Sequence, residues 1–307
     1  MSSALVNWDP DGVEEWERVA PADSAVLMHS LRGFIDAGKT GALVAGQVVE
    51  ASDPVRLATF DIDQLLDYRS RRPEMTFSVN EFTDYDEPHL QVDIVRDLED
   101  TPFLFLHGFE PDIRWEAYIA AVREIVDRTH VGLTLGAHGI PMAAPHTRPL
   151  GVTVHGTPQE LLPDAASFFG TAAVPASAQN LLEYRFGQWG LAAINVAVHV
   201  PHYLAQSSYP QAAKRAIRAI EDISGLLLDT DGLEDEAARA EEEIARQSGE
   251  SEEVQALVTA LEEQYDAFME RREDGIESAG PLPSAEELGA EFERFLQQQR
   301  GDTPPGA

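Results

Sequence analysis

The chain has 307 residues, 43% of them hydrophobic and 8% aromatic, which suits one large domain or one domain with a smaller companion. It has no cysteine, which excludes disulfides and cysteine-based metal or thiol chemistry and fits a cytoplasmic location. Its 54 Asp and Glu against 22 Lys and Arg give a formal charge of −32, a field that repels phosphate backbones and anionic membranes. Nucleic acid and membrane are therefore not expected partners; the acidity serves solubility or draws a basic protein partner. Met1–Leu5 lacks the basic segment and apolar run of a signal peptide. No stretch approaches the roughly 18 apolar residues of a membrane span.

Residues 25–31 read as a short buried strand, followed by a Gly-containing turn over 32–38. Leu43, Val44, Val48 and Val49 recur at helical spacing over 39–51. A strand over 55–60 and a helix over 61–70, with Asp61 as its N-cap, come next. Met75 to Ile94 alternates like antiparallel strands, and 102–107 is a buried strand. Trp115, Tyr118, Ile119, Val122 and Ile125 place one apolar face on a helix over 114–129. Strands at 131–137, 151–155 and 191–200 and helices near 177–186 and 210–224 complete the first part. This alternation predicts a layered α/β domain over 1–228 with a largely parallel, mixed sheet.

After Leu228 acidic residues dominate. Val254, Leu257, Val258, Leu261, Tyr265 and Phe268 form a helical stripe, and Leu288, Phe292, Phe295 and Leu296 a shorter one. Residues 229–300 are thus expected to be an acidic helical region packed on the main domain or on another subunit. Residues 280–284 read as a turn ending in a helix-capping Ser284, and 301–307 as a disordered tail.

Five ordered segments carry a resemblance. They are Gly33-Phe34…Asp36-Ala37-Gly38, Asp67-Tyr68-Arg69-Ser70-Arg71-Arg72-Pro73, Glu110-Pro111-Asp112-Ile113-Arg114-Trp115, Gly139-Ile140-Pro141-Met142…Pro145-His146-Thr147-Arg148-Pro149, and Val198-His199-Val200-Pro201-His202-Tyr203-Leu204 with Tyr209-Pro210. Together they resemble the actinobacterial branch of the proteasome assembly chaperone 2 family, over roughly residues 20–270. The resemblance implies a phosphorylase/hydrolase-like fold, three α/β/α layers around a mixed sheet with a helical C-terminal part. It also implies a non-catalytic binding or assembly protein, chaperone-like, acting as a homo-oligomer (a trimer being one form) on a proteasome-related protein partner. Some relatives carry a C-terminal hydrophobic-Tyr-X tail. This chain ends Thr303–Ala307 without it, so docking through such a tail is not expected.

Gly33 to Thr40 matches the Walker A pattern, with Gly33, Gly38, Lys39 and Thr40 at its fixed positions. Phe34 and Ile35 are bulky, however, and Asp36 brings negative charge to an anion site. The competing reading is a tight turn with Asp36 capping the helix, and no cofactor is expected. His146, Thr147 and Arg148 on a proline-stiffened loop suit a carboxylate or phosphate, unless Arg148 pairs with Glu110 or Asp112. His199 and His202, just past a strand, could join His138, His146 and His155 in a polar cluster; no zinc signature accompanies them, and no metal is expected. Tyr68, Arg69 and Arg72 belong to the one basic cluster and suit a subunit interface.

No G-x-S-x-G elbow or cysteine nucleophile is present. Two functions follow: a binding protein, or an enzyme for a small anionic substrate at the C-terminal strand ends. There Asp36, Glu110, Asp112, Arg114, His146, Arg148, His199 and His202 are expected to converge.

Overall fold

The computed structural model describes residues 4–33, 35–163, 171 and 173–273. Phe34, the 280–284 turn, the second apolar stripe and the 301–307 tail lie outside the described residues.

One sheet contains β1 (Val6–Trp8), β2 (Ala25–Arg32), β3 (Val55–Phe60), β6 (Leu90–Arg96), β7 (Pro102–Phe109), β8 (Val131–Met142), β9 (Val152–Thr157) and β10 (Ala192–Pro201). Their order is β1-β3-β6-β7-β2-β8-β10-β9. A separate hairpin, β4 (Met75–Ser78) and β5 (Glu81–Tyr85), stands outside this sheet. The central pairs β7–β2, β2–β8 and β8–β10 are parallel, while the pairs on both flanks are antiparallel. The sheet is thus less parallel than the sequence suggests. The reason lies in the connections: β6 and β7 are joined by a turn in which Asp97 accepts from Glu99 N and Thr101 N, too short for a crossover.

Period-two alternation divides the core. Leu27, Leu104 and Leu106 face Trp16 of α1 (Pro10–Val19), Ile119 and Val122 of α3 (Trp115–Thr129) and Phe186 of α4 (Ala178–Gln188). Met28, Phe105 and Val196 face Val44 of α2 (Thr40–Glu50), Ile217 of α5 (Pro210–Ser224) and Leu233 of α6 (Asp231–Gly249). The result is a three-layer α/β/α fold. In α5, Pro210 occupies the first turn and the buried stripe is mostly alanine, which lets the helix lie close to the sheet.

Two local expectations change. Helix α1 was not anticipated, because it offers few apolar residues. It is set by Asp9, which accepts from Asp11 N and Gly12 N at 3.0 Å, and by Gly12, where a Cβ would lie 1.8 Å from the Arg56 carbonyl oxygen. Conversely, 61–70 contains only a single 3-10 turn, Ile62–Gln64. Tertiary bonds claim the groups a helix would use: Leu65 O accepts from Asp112 N and Ile113 N, and Asp67 N donates to Asp112 Oδ2. Asp61 binds the Gln64 side chain and does not cap a helix.

The first apolar stripe lies on α7 (Glu252–Glu273), where Val258, Leu261 and Phe268 are buried. Phe268 packs on Met142 and Ala144, at the end of β8. Among the described residues no helix is long and apolar enough to cross a membrane.

Candidate functional site

The parallel strands β2, β7, β8 and β10 end on one edge of the sheet, and their loops interlock there. In the first loop Gly38 has φ 68° and Lys39 φ 54°, the left-handed region that glycine favours. Gly38 N donates to Ala205 O and Tyr209 N to Gly38 O, both at 2.9 Å, joining this loop to the one after β10. The Asp36 carboxylate accepts from Gly41 N at 2.7 Å, Ala42 N at 3.0 Å and Gly139 N at 3.3 Å. It therefore sits at the start of α2, where a P-loop holds phosphate. Burial raises its pKa, against the pull of those three amides. Thr40 Oγ1 is committed to Ala37 O.

Glu110, 5% exposed, is bonded through its own N–H to Arg32 O and accepts from Ala178 N at 2.6 Å. It thereby closes the N-terminus of α4. Gly33 is required beside it, since a Cβ there would lie 2.0 Å from Glu110 Oε2. Asp112 binds Asp67 N and, at 3.1 Å, Arg71. Arg114 reaches Gln64 Oε1. The Tyr68 hydroxyl donates to Asp63, and that bond is the first reason its pKa is pushed up to about 12. Arg69 and Arg72 are exposed, while Arg71 between them donates to Arg32 O at the end of β2.

Arg148 pairs with neither Glu110 nor Asp112. Its guanidinium makes two bonds to Asp266, at 2.8 and 2.6 Å, and one to Glu262 at 3.2 Å, all on α7. The Asp266 bond leads the causes that raise its pKa. Thr147 also donates to Glu262, and Tyr265 donates to Pro149 O. The acidic helix thus clamps the 145–149 loop. The Tyr203 hydroxyl accepts from His146 N and faces His146 Nδ1 at 2.7 Å. Burial lowers the pKa of both His146 and His202.

His199 lies within β10, not past it, so it belongs to the sheet face and not to the loops. It is 2% exposed and meets Thr153 Oγ1 at 2.8 Å. His146 and His202 both meet the Tyr203 ring, with centroids 5.9 and 5.4 Å from it. His138 and His155 do meet, with ring centroids 6.4 Å apart, in a network whose other members, His29, Gln179, Glu183 and Asn195, the sequence did not reveal. Gln179 donates to Asn195 Oδ1 at 2.9 Å and approaches His138; Glu183 holds Asn195 Nδ2 and His155 Nδ1. His29 completes the stripe, and Gly136 leaves the room, since a Cβ there would lie 2.0 Å from Asn195 Oδ1 and 2.3 Å from His29. Burial holds His29 and His138 down at about 4. Burial would raise the Glu183 carboxyl, but His155 and Asn195 outweigh it and keep the pKa below its ordinary value. Among the described residues no three acidic or histidine side chains are arranged to hold a metal ion. The readable signals are His29 in β2 and Asn195 in β10, polar residues within mostly apolar strands.

Beneath the loops, the space lined by Gly33, Glu110, His138 and Gln179 is about 30 Å³, roughly the volume of one water.

A mixed three-layer α/β/α protein with interlocked polar loops at its parallel strand ends is the class this geometry defines. The chain belongs to the PAC2 family, whose family model matches residues 30–248. It is 41% identical to a Mycobacterium tuberculosis protein of unknown function, over 97% of this chain and 97% of that one, with a TM-score of 0.84. A Corynebacterium glutamicum protein of unknown function is 36% identical over 87% of this chain and 98% of that one, with a TM-score of 0.80. A Mycobacterium tuberculosis proteasome-assembly chaperone homologue shares the fold at 20% identity, over 76% of this chain and 99% of that one, with a TM-score of 0.69. No curated protein matches the chain.

Proposed function

We propose that the protein is a chaperone-like binding or assembly protein, non-catalytic and cytoplasmic, that works as a homo-oligomer on a proteasome-related protein partner. The observation that carries self-association is the β4–β5 hairpin. Met75 pairs with Tyr85 and Phe77 with Phe82, so four large apolar side chains share one face. All of them are exposed, Phe77 by 60% and Phe82 by 64%. A lone two-stranded hairpin is marginal in water, and an aromatic face of this kind calls for a cover. The basic turn with Tyr68, Arg69 and Arg72 leads directly into β4, and a second copy of this acidic chain offers it opposite charge. The partner class is taken from the family and from the proteasome-assembly chaperone homologue of like fold.

The other reading, an enzyme for a small anionic substrate at the strand ends, has less support. Asp36, Glu110 and Arg148 already have close partners, and the space between the loops is about 30 Å³. The Gly33–Thr40 turn is read as a capped turn, not a nucleotide site. Sedimentation velocity on the full chain tests the proposal: a mass of two or more copies is expected, a trimer being one form, and Phe77→Asp with Phe82→Asp should reduce it to one. A wild-type protein that sediments as a monomer at every concentration overturns it. Co-sedimentation with proteasome particles then tests the partner class, and absence of co-sedimentation removes it.

A further inference from the structure

The apolar face of the β4–β5 hairpin is longer than its four paired side chains. Phe77 and Phe82 meet ring to ring, with centroids 5.1 Å apart, and Met75 and Tyr85 continue the face toward the base. At the tip Val79 is 96% exposed and has φ 57°. A β-branched residue in the left-handed region is strained, and here no burial offsets the strain. From Met75 to Val79 the face runs about 13 Å at the rise of a strand. The hairpin's own carboxylates do not interrupt it. Asp84 pairs with Thr76 and Glu81 with Ser78, on the opposite face. Glu74, Asp86 and Glu87 lie at the base, near the turn that carries Arg69, Arg71 and Arg72.

The sequence beyond α7 holds an apolar surface of matching length. Leu288, Phe292, Phe295 and Leu296 recur at helical spacing, and the helix rise puts Leu288 and Leu296 about 12 Å apart. Glu286, Glu287, Glu291 and Glu293 flank this stripe. They suit the basic turn. Among the described residues Arg72 has no carboxylate within ion-pair distance, and Arg69 has Asp67 at 3.8 Å. The length of chain also fits. Helix α7 ends at Glu273, five residues after Phe268, which packs on Met142 at the end of β8. From β8 it is three strand spacings, about 15 Å, to β6, which the hairpin enters through residues 86–89. Residues 274–287 extend to about 45 Å, enough to cross to the hairpin of a neighbouring copy.

We propose, on the reading that a second copy covers the hairpin, that the part of that copy in contact is its 284–299 segment. The stripe seats along the face from Met75 to Val79, with Phe292 and Phe295 against Phe77 and Phe82, and the flanking carboxylates meet Arg69 and Arg72. Each copy then gives one terminal segment and receives one, an exchange that closes an oligomer without a further interface.

The absence of cysteine makes the contact directly testable in the full chain. A chain with Phe82→Cys and Phe292→Cys, oxidised and separated without reductant, should give disulfide-linked dimers or larger species. Either cysteine alone should link far less, and so should Phe82→Cys with Gln297→Cys, which lies across the predicted helix from the stripe. Phe292→Asp with Phe295→Asp should weaken association about a hundredfold in sedimentation velocity, as two lost aromatic contacts would. A disulfide that forms within one chain overturns the assignment to a second copy. Unchanged association in Phe292→Asp with Phe295→Asp, with no link between 82 and 292, overturns the segment as the cover and leaves the second-copy reading standing. A wild-type protein that is a monomer at every concentration overturns that reading and this assignment with it.

Discussion

The strand-end loops and the β4–β5 hairpin are opposites. At the strand ends Asp36, Glu110, Asp112, Arg114 and Arg148 all have partners within the chain. On the hairpin Met75, Phe77, Phe82 and Tyr85 are all exposed. The first region carries the chemistry-bearing residues and has already used them to fix the loops. The second carries ordinary apolar residues that, beyond the Phe77–Phe82 ring contact, stay open to solvent. A binding protein is expected to act through what its own fold leaves unspent, and that points away from the strand ends.

The largest expected effect concerns the acidic helices, which we take as a cover for the α/β layers and not as a domain apart. Ending the chain at Leu228 uncovers what Leu233 packs against and removes the Phe268 contact with Met142 and Ala144. A loss of about 4 kcal/mol or more is expected, with reduced solubility. Thermal melting and gel filtration of the shortened chain check it. Equal melting temperature and elution would mean that the helices are dispensable to the fold.

Next in size is the buried histidine stripe. His29 and His138 are held at about 4, below the roughly 6.5 of an unfolded chain. Between those values acid protonates the unfolded state first. Their contribution is therefore complete above about pH 6.5 and is lost as pH falls toward 4, by about 2–3 kcal/mol for each. Changing net charge acts on the whole protein, so the comparison must be made against His29→Gln, which should lose stability less steeply over pH 6.5 to 4. Identical slopes for the two proteins would remove His29 from the account.

Smaller effects separate the two readings of the first turn. Asp36→Ala leaves Gly41 N, Ala42 N and Gly139 N without their acceptor and should cost about 2 kcal/mol in denaturant unfolding. Lys39→Ala, at an exposed position, should change neither stability nor partner binding measurably. ATP binding that vanishes in Lys39→Ala would restore the nucleotide reading.

Much of the fold was legible because its signals are local. Pro210 followed by an Ala and Ile stripe marks α5 to the residue, and the apolar runs of β2, β7 and β10 mark the sheet centre. The 61–70 segment misled because its helical propensity loses to Asp112, which lies about forty residues away in sequence and takes the Asp67 amide. The same holds for Arg148. Glu110 and Asp112 were the nearest plausible carboxylates in the strand-end loops, but the chain path brings Asp266 and Glu262 instead. The His29, Gln179, Glu183 and Asn195 network stayed hidden for a topological reason. Its members come from β2, α4 and β10 and meet only once β2, β8 and β10 are adjacent.

The central claim is that a second copy of the chain covers the hairpin's apolar face. Hydrogen exchange over residues 75–85, followed as the protein is diluted, tests it most directly. A hairpin standing alone should exchange quickly at every concentration, because two strands without a cover are marginal. The account predicts slow exchange at concentrations where the protein is associated, faster exchange on dilution, and fast exchange throughout in Phe77→Asp with Phe82→Asp. Rapid exchange in the wild type that does not depend on concentration would contradict it.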